Sequence, residues 1–459
     1  MSHEGTEKCL SGDESSSFRK ESEKSPEIES RCPGDEESKL ETPSNAAPLV
    51  ASNPWHPSQF PDGGARAWLV ILGGFCCLFC SFGWINCIGV FQSYYQLTYL
   101  HDYLESDISW IGSLGVFIML AGGLVVGRLY DMFGPRPLIF AGTFFHVFGL
   151  MMASMSTKYY QFILSQGICS PIGICLLVSP ATNSAISWFF KKRAFAVGLV
   201  AAGSGLGGTI LPIMINKLIP QVGFGWAMRI AAFLQLALLI LANLTVRSRV
   251  PPRPKPLNTK RFFSPLTEKS FVLLIAGSSV YYLGLFLPIN YIQHQAIRYG
   301  MDSSLAIYII PILNVGSIIG RVLPTFIADK LGRFNTNMVM AFVAALLSLG
   351  LWLPATGDAP LIVFAILYGA ASGTYIALLP AMMAHISDNA EIGHRIGFGF
   401  ALLSIPALIG NPIGGAILAA NHGEYRNMQI YTGVLLFVGG CLFVATRFSV
   451  VGMKLCTRG

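Results

Sequence analysis

Long apolar runs separated by short polar connections make up most of the chain after residue 60. An α-helix needs roughly 20 apolar residues to cross the hydrocarbon core of a bilayer, and these runs reach that length. The pattern predicts an all-α polytopic membrane protein with twelve transmembrane helices. Their residues are 66–93, 107–129, 137–156, 159–188, 194–219, 225–247, 270–293, 304–327, 334–354, 360–386, 393–419 and 427–448.

A basic, proline-rich connection follows the sixth run and divides the helices into two groups of six. We predict an N-terminal six-helix half at 61–247 and a cytoplasmic linker at 248–269. A C-terminal six-helix half follows at 270–448, and a cytoplasmic tail at 449–459.

The two halves repeat a short motif. Asp131-Met-Phe-Gly134 follows the second run, and Asp329-Lys-Leu-Gly332 follows the eighth run 198 positions later. The first and seventh runs begin 204 positions apart, so each motif occupies the same place in its half. Two six-helix pseudo-repeats around a central path are a common plan of secondary transporters, with the substrate near the membrane midplane.

The first 60 residues have a different composition from the rest. They contain twelve acidic and six basic residues, are rich in Ser, Pro and Glu, and have no apolar run. Such a segment cannot bury enough surface to fold, so we predict a disordered, acidic cytoplasmic tail at 1–60.

The distribution of Lys and Arg predicts the orientation, because cytoplasmic loops carry the excess of these residues. With the amino terminus inside, the inner connections and the C-terminal tail hold 19 of them and the outer connections hold four. Both termini are therefore expected in the cytoplasm. We expect a multi-pass protein of the plasma membrane, with the vacuolar membrane as the alternative.

Composition limits the functional classes. The chain is 53% hydrophobic and 12% charged, about half the charge of an ordinary soluble protein. Cys77-Leu-Phe-Cys80 lies inside an apolar run without acidic or His partners, which favours packing over metal binding. Gly203-Ser-Gly-Leu-Gly-Gly208 matches a dinucleotide fingerprint but lacks the preceding strand.

We expect no cofactor, metal or nucleic acid. The expected partners are a small molecule and membrane lipid, and the expected state is a monomer.

Three stretches carry a resemblance to a known family. Residues 127–137, GRLYDMFGPRP, resemble the loop between the second and third helices of the major facilitator superfamily. Residues 61–68, PDGGARAW, look like the opening of the monocarboxylate porter family within it, and 410–415, GNPIGG, agree. The likeness is to fungal members and covers 61 to about 450. It implies the major facilitator fold.

The charged loops are candidate gates. A carboxylate at the end of one helix can accept hydrogen bonds from the N-terminus of a neighbouring helix, whose dipole favours negative charge. The resemblance implies that these loops close the inner gate; a connector that only fixes orientation is the alternative. Met132 stands where many relatives have a basic residue. The candidate gating residues are Asp62, Gly127, Arg128, Asp131, Gly134, Arg136, Asp329, Gly332 and Arg333.

Four residues inside the runs are candidates for substrate translocation. The resemblance implies a substrate-binding arginine at Arg321, whose guanidinium suits a carboxylate; an arginine that reaches the lipid headgroups is the alternative. Asn86 and Ser317 stand where animal porters have lysine and an acid, which removes both proton-handling groups. Asn86 and Asn314 can still hydrogen-bond a substrate, and His146 can titrate or serve as a packing residue.

These observations predict a secondary active or facilitative transporter that works by alternating access. The expected cargo is a small organic anion or a secondary metabolite, and efflux is the favoured direction. A proton-coupled uptake permease for a monocarboxylate or a vitamin is one alternative, and a transporter-like nutrient sensor is another. An enzyme is not expected, because the runs contain no catalytic cluster at one membrane face.

Overall fold

The computed structural model describes residues 59–249, 263–388 and 391–452, except the side chains of Glu105 and Ser106. Regular structure in these residues is entirely helical. Nearly all of the predicted tail 1–60, most of the linker 248–269 and residues 453–459 lie outside the described residues.

Eleven helices in the described part of the chain are long and apolar enough to cross a membrane. Ten of them are single spans. These are α1 Ala65–Thr98, α2 Asp107–Phe133, α3 Pro135–Ala153, α4 Tyr159–Trp188, α7 Lys269–Arg298, α8 Ser303–Leu331, α9 Arg333–Trp352, α10 Asp358–His385, α11 Ile392–Ala420 and α12 Arg426–Val451.

The eleventh helix, Arg193–Thr245, is 53 residues long and contains two spans. Gly223 has non-helical backbone angles, with φ +78°, and separates residues 193–222 from residues 224–245. We number these segments α5 and α6, and their division coincides with the break predicted between residues 219 and 225. The prediction of twelve transmembrane helices is thereby confirmed.

α1 and α4 are among the spans that depart from regular α-helix in their interior. α1 consists of Ala65–Cys80, Phe82–Ile85 and Ile88–Thr98, with interruptions at Ser81 and at residues 86–87. α4 contains the π-helical segment Ile163–Cys169. Such segments change the direction of the side chains that follow them and occur frequently at functional sites.

The helices form two groups of six, which we call the first half (α1–α6) and the second half (α7–α12). Within the first half, α1 packs on α4 and α5, and α3 packs on α4 and α6. Within the second half, α8 packs on α10, and α7 packs on α11 and α12. The halves meet along two seams, α2 against α11 and α5 against α8.

The connections alternate between the two ends of the bundle. We call one end the aspartate end, because Asp62, Asp131 and Asp329 lie there beside the starts of α5 and α11. The connections after α1, α3, α5, α7, α9 and α11 lie at the other end, which we call the opposite end.

Candidate functional site

The first contact between the halves joins the end of α2 to the start of α11. The backbone N–H of His394 donates to Asp131 Oδ2 at 2.8 Å. Glycines allow this approach, since a Cβ on Gly127 would lie 2.2 Å from the carbonyl oxygen of Gly393. The Asp131 carboxylate therefore meets the positive end of the α11 dipole.

A second contact of the same kind joins the end of α8 to the start of α5. The Asp329 carboxylate accepts hydrogen bonds from Ala194 N at 3.0 Å and Phe195 N at 2.9 Å. Arg333 Nη2 lies 3.3 Å from Asp329 Oδ1 and donates to the Phe190 carbonyl at 3.0 Å. In both contacts, an aspartate from one half thus holds the N-terminus of the fifth helix of the other half.

Each half also has an acidic residue before its first helix that reaches its own fifth helix. Asp62, at a left-handed φ of +49°, accepts from the backbone N–H groups of residues 190, 191 and 192 at 2.8, 2.8 and 3.2 Å. Glu268 precedes α7 and forms an ion pair with Arg395 in the first turn of α11. Asp62 and Glu268 act within a half, whereas Asp131 and Asp329 act between halves.

The remaining candidate gating residues lie around these contacts. Gly134 and Gly332 end α2 and α8 with φ of +76° and +101°, which L residues with side chains rarely adopt. Arg128 is half-buried near the end of α2, and Arg136 is exposed in the first turn of α3. The structure thus brings all the predicted gating residues to the aspartate end.

Arg321 lies in the seam between α5 and α8. It is 6% exposed, and its Nη1 donates to Ala201 O at 3.0 Å and to Ser204 Oγ at 2.6 Å. Its Nε has no hydrogen-bond partner, and no carboxylate within the described residues pairs with it. A buried guanidinium without a counter-ion is costly, which makes this position suitable for an anion.

Asn86 and Asn314 meet between the halves, at a level of the seam nearer the opposite end than Arg321. Asn314 Nδ2 lies 3.4 Å from Asn86 Oδ1 and 3.3 Å from the Gly208 carbonyl oxygen. Asn86 Nδ2 donates to Phe82 O at 2.8 Å, where α1 is interrupted. Two carboxamides and a carbonyl therefore connect α1, α5 and α8 without any formal charge.

His146 is not brought to the seam with these residues. It is fully buried, and its Nδ1 lies 2.9 Å from Ser170 Oγ and its Nε2 2.7 Å from Gln235 Oε1. Both partners belong to the first half, on α4 and α6. This geometry is that of the packing histidine that the sequence left open as an alternative.

Space remains between the halves, farther from the aspartate end than the Asp131 contact. A cavity lies where α1, α2 and α4 meet α11, beside Phe82, Thr182 and Phe400, with about 390 Å³ of empty space when its open part is included. Nearer the opposite end of the second half, Asn290 of α7 is exposed and donates to Asn411 Oδ1 of α11 at 2.9 Å. An exposed amide pair within two spans is expected to face water rather than lipid.

Several of these residues were not predicted from the sequence. Ser204 and Ala201 carry no signal, since they are small residues of a glycine-rich helix. Glu268 does carry one, because it precedes the seventh span as Asp62 precedes the first, 206 positions earlier. Arg395, its partner, lies at the start of the eleventh span.

The fold and this site define a class of protein: a twelve-helix membrane transporter built from two six-helix halves, with polar contacts between the halves. The chain belongs to the Major Facilitator Superfamily, whose family model matches residues 74–363. This is a family of transporters and not of enzymes.

Curated relatives and a solved structure support the assignment to this family. The chain is 59% identical over 415 residues to MFS-type transporter 1 of Ophiocordyceps sp. (strain BCC 1869), covering 90% of this chain and 92% of the relative. It is 44% identical to the Fujikurins efflux protein of Gibberella fujikuroi (strain CBS 195.34 / IMI 58289 / NRRL A-6831), covering 85% of this chain and 84% of that protein. The fold matches the E. coli fucose:proton symporter FucP with a TM-score of 0.65 at 14% identity, covering 82% of this chain and 98% of that one. The predicted fold class and the transporter function are confirmed.

Proposed function

We propose that the protein exports a small organic anion or a fungal secondary metabolite by alternating access. The buried guanidinium of Arg321, which has no carboxylate partner in the described part of the chain, is the observation that carries this proposal. The name of the Fujikurins efflux protein supports export and a metabolite as cargo.

Arg321, Asn86 and Asn314 are the residues we assign to the cargo. Arg321 supplies the positive charge, and the two carboxamides supply neutral donors and acceptors on the way to it. Because Ser204 and Ala201 hold Arg321 in the seam, the guanidinium becomes available as α5 and α8 separate. His146 contributes to the stability of the first half in this proposal.

In this proposal, the candidate gating residues hold the aspartate end closed. Asp131 and Asp329 join the halves there, while Asp62 fixes the start of α5 within its own half. Exposure of the Asn290–Asn411 pair supports a water-filled path that opens toward the opposite end. Release of the two aspartate contacts would open the aspartate end and complete the transport cycle.

Orientation, membrane and subfamily belong to the same proposal. The excess of Lys and Arg supports a cytoplasmic aspartate end and cytoplasmic termini. We retain the plasma membrane as the expected location, with the vacuolar membrane as the alternative. The PDGGARAW stretch at 61–68 supports placement in the monocarboxylate porter family. We retain the domain boundaries 1–60, 61–247, 248–269, 270–448 and 449–459.

Flux of labelled carboxylates, benzoate among them, into proteoliposomes tests the proposal. We expect flux through the wild-type chain and about a tenfold loss with Arg321→Gln, because one charge-assisted contact disappears. Arg229→Gln is the matched control, since Arg229 stacks on Trp226 near the opposite end, and should leave the flux unchanged. Absence of any Arg321-dependent flux would refute the anion assignment.

The same assay with and without a pH gradient separates export by facilitated flux from proton-coupled uptake. Ser317 replaces the acid that the porter resemblance places before the arginine, and it is buried beside Gly373. We therefore expect benzoate flux to follow the benzoate gradient. A flux driven by the proton gradient alone would favour the uptake permease instead.

A further inference from the structure

A pocket lies in the first half, between α1, α2 and α4, with about 540 Å³ of empty space when the part open to its surroundings is included. Its wall is mostly aromatic and aliphatic and includes Trp84 and Phe91 of α1 and Ile111 of α2. All of its lining residues belong to these three helices, and none of them is charged. The pocket is therefore separate from Arg321, which lies between α5 and α8.

One of the residues that line the pocket has a buried polar donor without a partner. The Tyr95 hydroxyl donates to Gln166 Oε1 at 2.8 Å, which fixes the orientation of the carboxamide. Gln166 Nε2 is buried and has no hydrogen-bond partner among the described residues. Ser170, also in the wall, is bound to His146 and does not compete for this donor. A buried amide donor is costly to leave unpaired, so an acceptor in the pocket would bind favourably.

The position of Gln166 depends on an irregular segment of α4. Gln166 lies within the π-helical segment Ile163–Cys169, which redirects side chains relative to a regular α-helix. On the other side of the pocket, α1 is interrupted at residues 86–87, next to Ile85 and Ile88 of the wall. Both helices depart from regular geometry where they enclose the pocket.

From these observations we infer that the pocket binds a neutral, mostly apolar small molecule that carries a carbonyl oxygen. The apolar wall takes the hydrocarbon part, and Gln166 Nε2 donates to the carbonyl. An ionised ligand is excluded because the wall offers it no counter-charge. This site goes beyond the proposed export function, and binding to it requires neither Arg321 nor transport.

Benzophenone tests the inference, because it is neutral, carries one carbonyl and forms covalent adducts with nearby C–H groups on irradiation. We expect adducts on peptides that contain the wall residues of α1, α2 and α4 in the full-length protein in lipid nanodiscs. Gln166→Leu should lower this labelling about tenfold, the effect of one lost hydrogen bond. Gln96→Leu, at an exposed position of α1 outside the wall, should leave it unchanged.

A competition experiment needs no variant and covers the case in which Gln166→Leu does not fold. Fluorenone should suppress the labelling of wild-type protein, whereas fluorene, which has the same ring system without the carbonyl, should not. Equal competition by the two compounds, or equal labelling of wild type and Gln166→Leu, would overturn the inference. Benzoate flux is a separate readout, so loss of the export function and loss of this site are distinguishable.

Discussion

Arg321 and His146 both have buried basic side chains, yet their surroundings differ. Arg321 reaches across a seam to Ser204 and Ala201 of the other half, while both partners of His146 lie in its own half. A residue that bridges halves changes partners when the halves move, and one bonded within a half does not. The contrast supports our proposal that Arg321 binds the cargo and that His146 stabilises the first half.

The assignment of His146 predicts a loss of stability. His146→Leu leaves Ser170 and Gln235 without partners in the interior of the first half, so we expect unfolding to become easier by about 1–3 kcal/mol. The thermal midpoint of the purified protein in detergent measures this effect. His101→Ala, at an exposed position, is the control and should leave the midpoint unchanged. An unchanged midpoint with His146→Leu would contradict the assignment.

Some residues of the contacts between helices could be predicted from the sequence, and others could not. Asp131 and Asp329 were predicted because the same D-x-x-G motif recurs at matching places in the two halves. Their partners could not be predicted, since these are backbone N–H groups at the starts of α11 and α5, which any residue can supply. Asn290 and Asn411 carry no motif, and only the packing of α7 on α11 brings them together.

At the scale of the helices, close contact between α2 and α11 depends on small residues. A Cβ on Gly127 would lie 2.2 Å from Gly393 O, and one on Gly397 would lie 2.0 Å from Gly123 O. Small residues let helices approach closely in membranes. The approach in turn allows Asp131 to reach the N-terminus of α11.

The close contact between α2 and α11 predicts that one methyl group added at Gly127 lowers transport. Gly127→Ala should force α2 away from α11, break the Asp131 contact and lower benzoate flux about tenfold, since the closed aspartate end becomes less favourable. Gly89→Ala is the matched control, because a Cβ on this glycine of α1 meets nothing within 4 Å. Equal flux for the two variants in proteoliposomes would show that the glycine contact has no part in transport.

The helices themselves were largely predictable, but their irregularities were not. Apolar length identified every span, and the break at Gly223 falls between the predicted spans that end at residue 219 and begin at residue 225. The π-helical segment of α4 and the interruptions of α1 leave no comparable pattern in the sequence. The pocket that they enclose was therefore invisible to sequence analysis.

At the scale of the molecule, pseudo-symmetry relates the contacts at the aspartate end. Asp131 of the first half binds the start of α11, and Asp329 of the second half binds the start of α5. The second contact therefore repeats the first with the roles of the two halves exchanged. Asp62 and Glu268 form the corresponding pair within each half. The two-half fold could be predicted from the repeated motif, but the pairing between halves required the three-dimensional arrangement.

The central claim is that the aspartate contacts close one end of the transporter while the other end is open. Distances between spin labels in lipid bilayers test it most directly. One label pair, at the exposed Lys191 and Lys330, crosses the aspartate end, and another, at the exposed Leu97 and Ile297, crosses the opposite end. Asp329→Asn removes the negative charge at the start of α5, and Asp358→Asn, in the exposed first turn of α10 at the opposite end, is the control.

We predict that Asp329→Asn lengthens the distance between the labels at 191 and 330 and shortens the distance between those at 97 and 297. A loss of about 1 kcal/mol at a helix N-terminus shifts such a two-state population roughly fivefold. Asp358→Asn should change neither distance. Lengthening of both distances together, or no change in either with Asp329→Asn, would contradict the account.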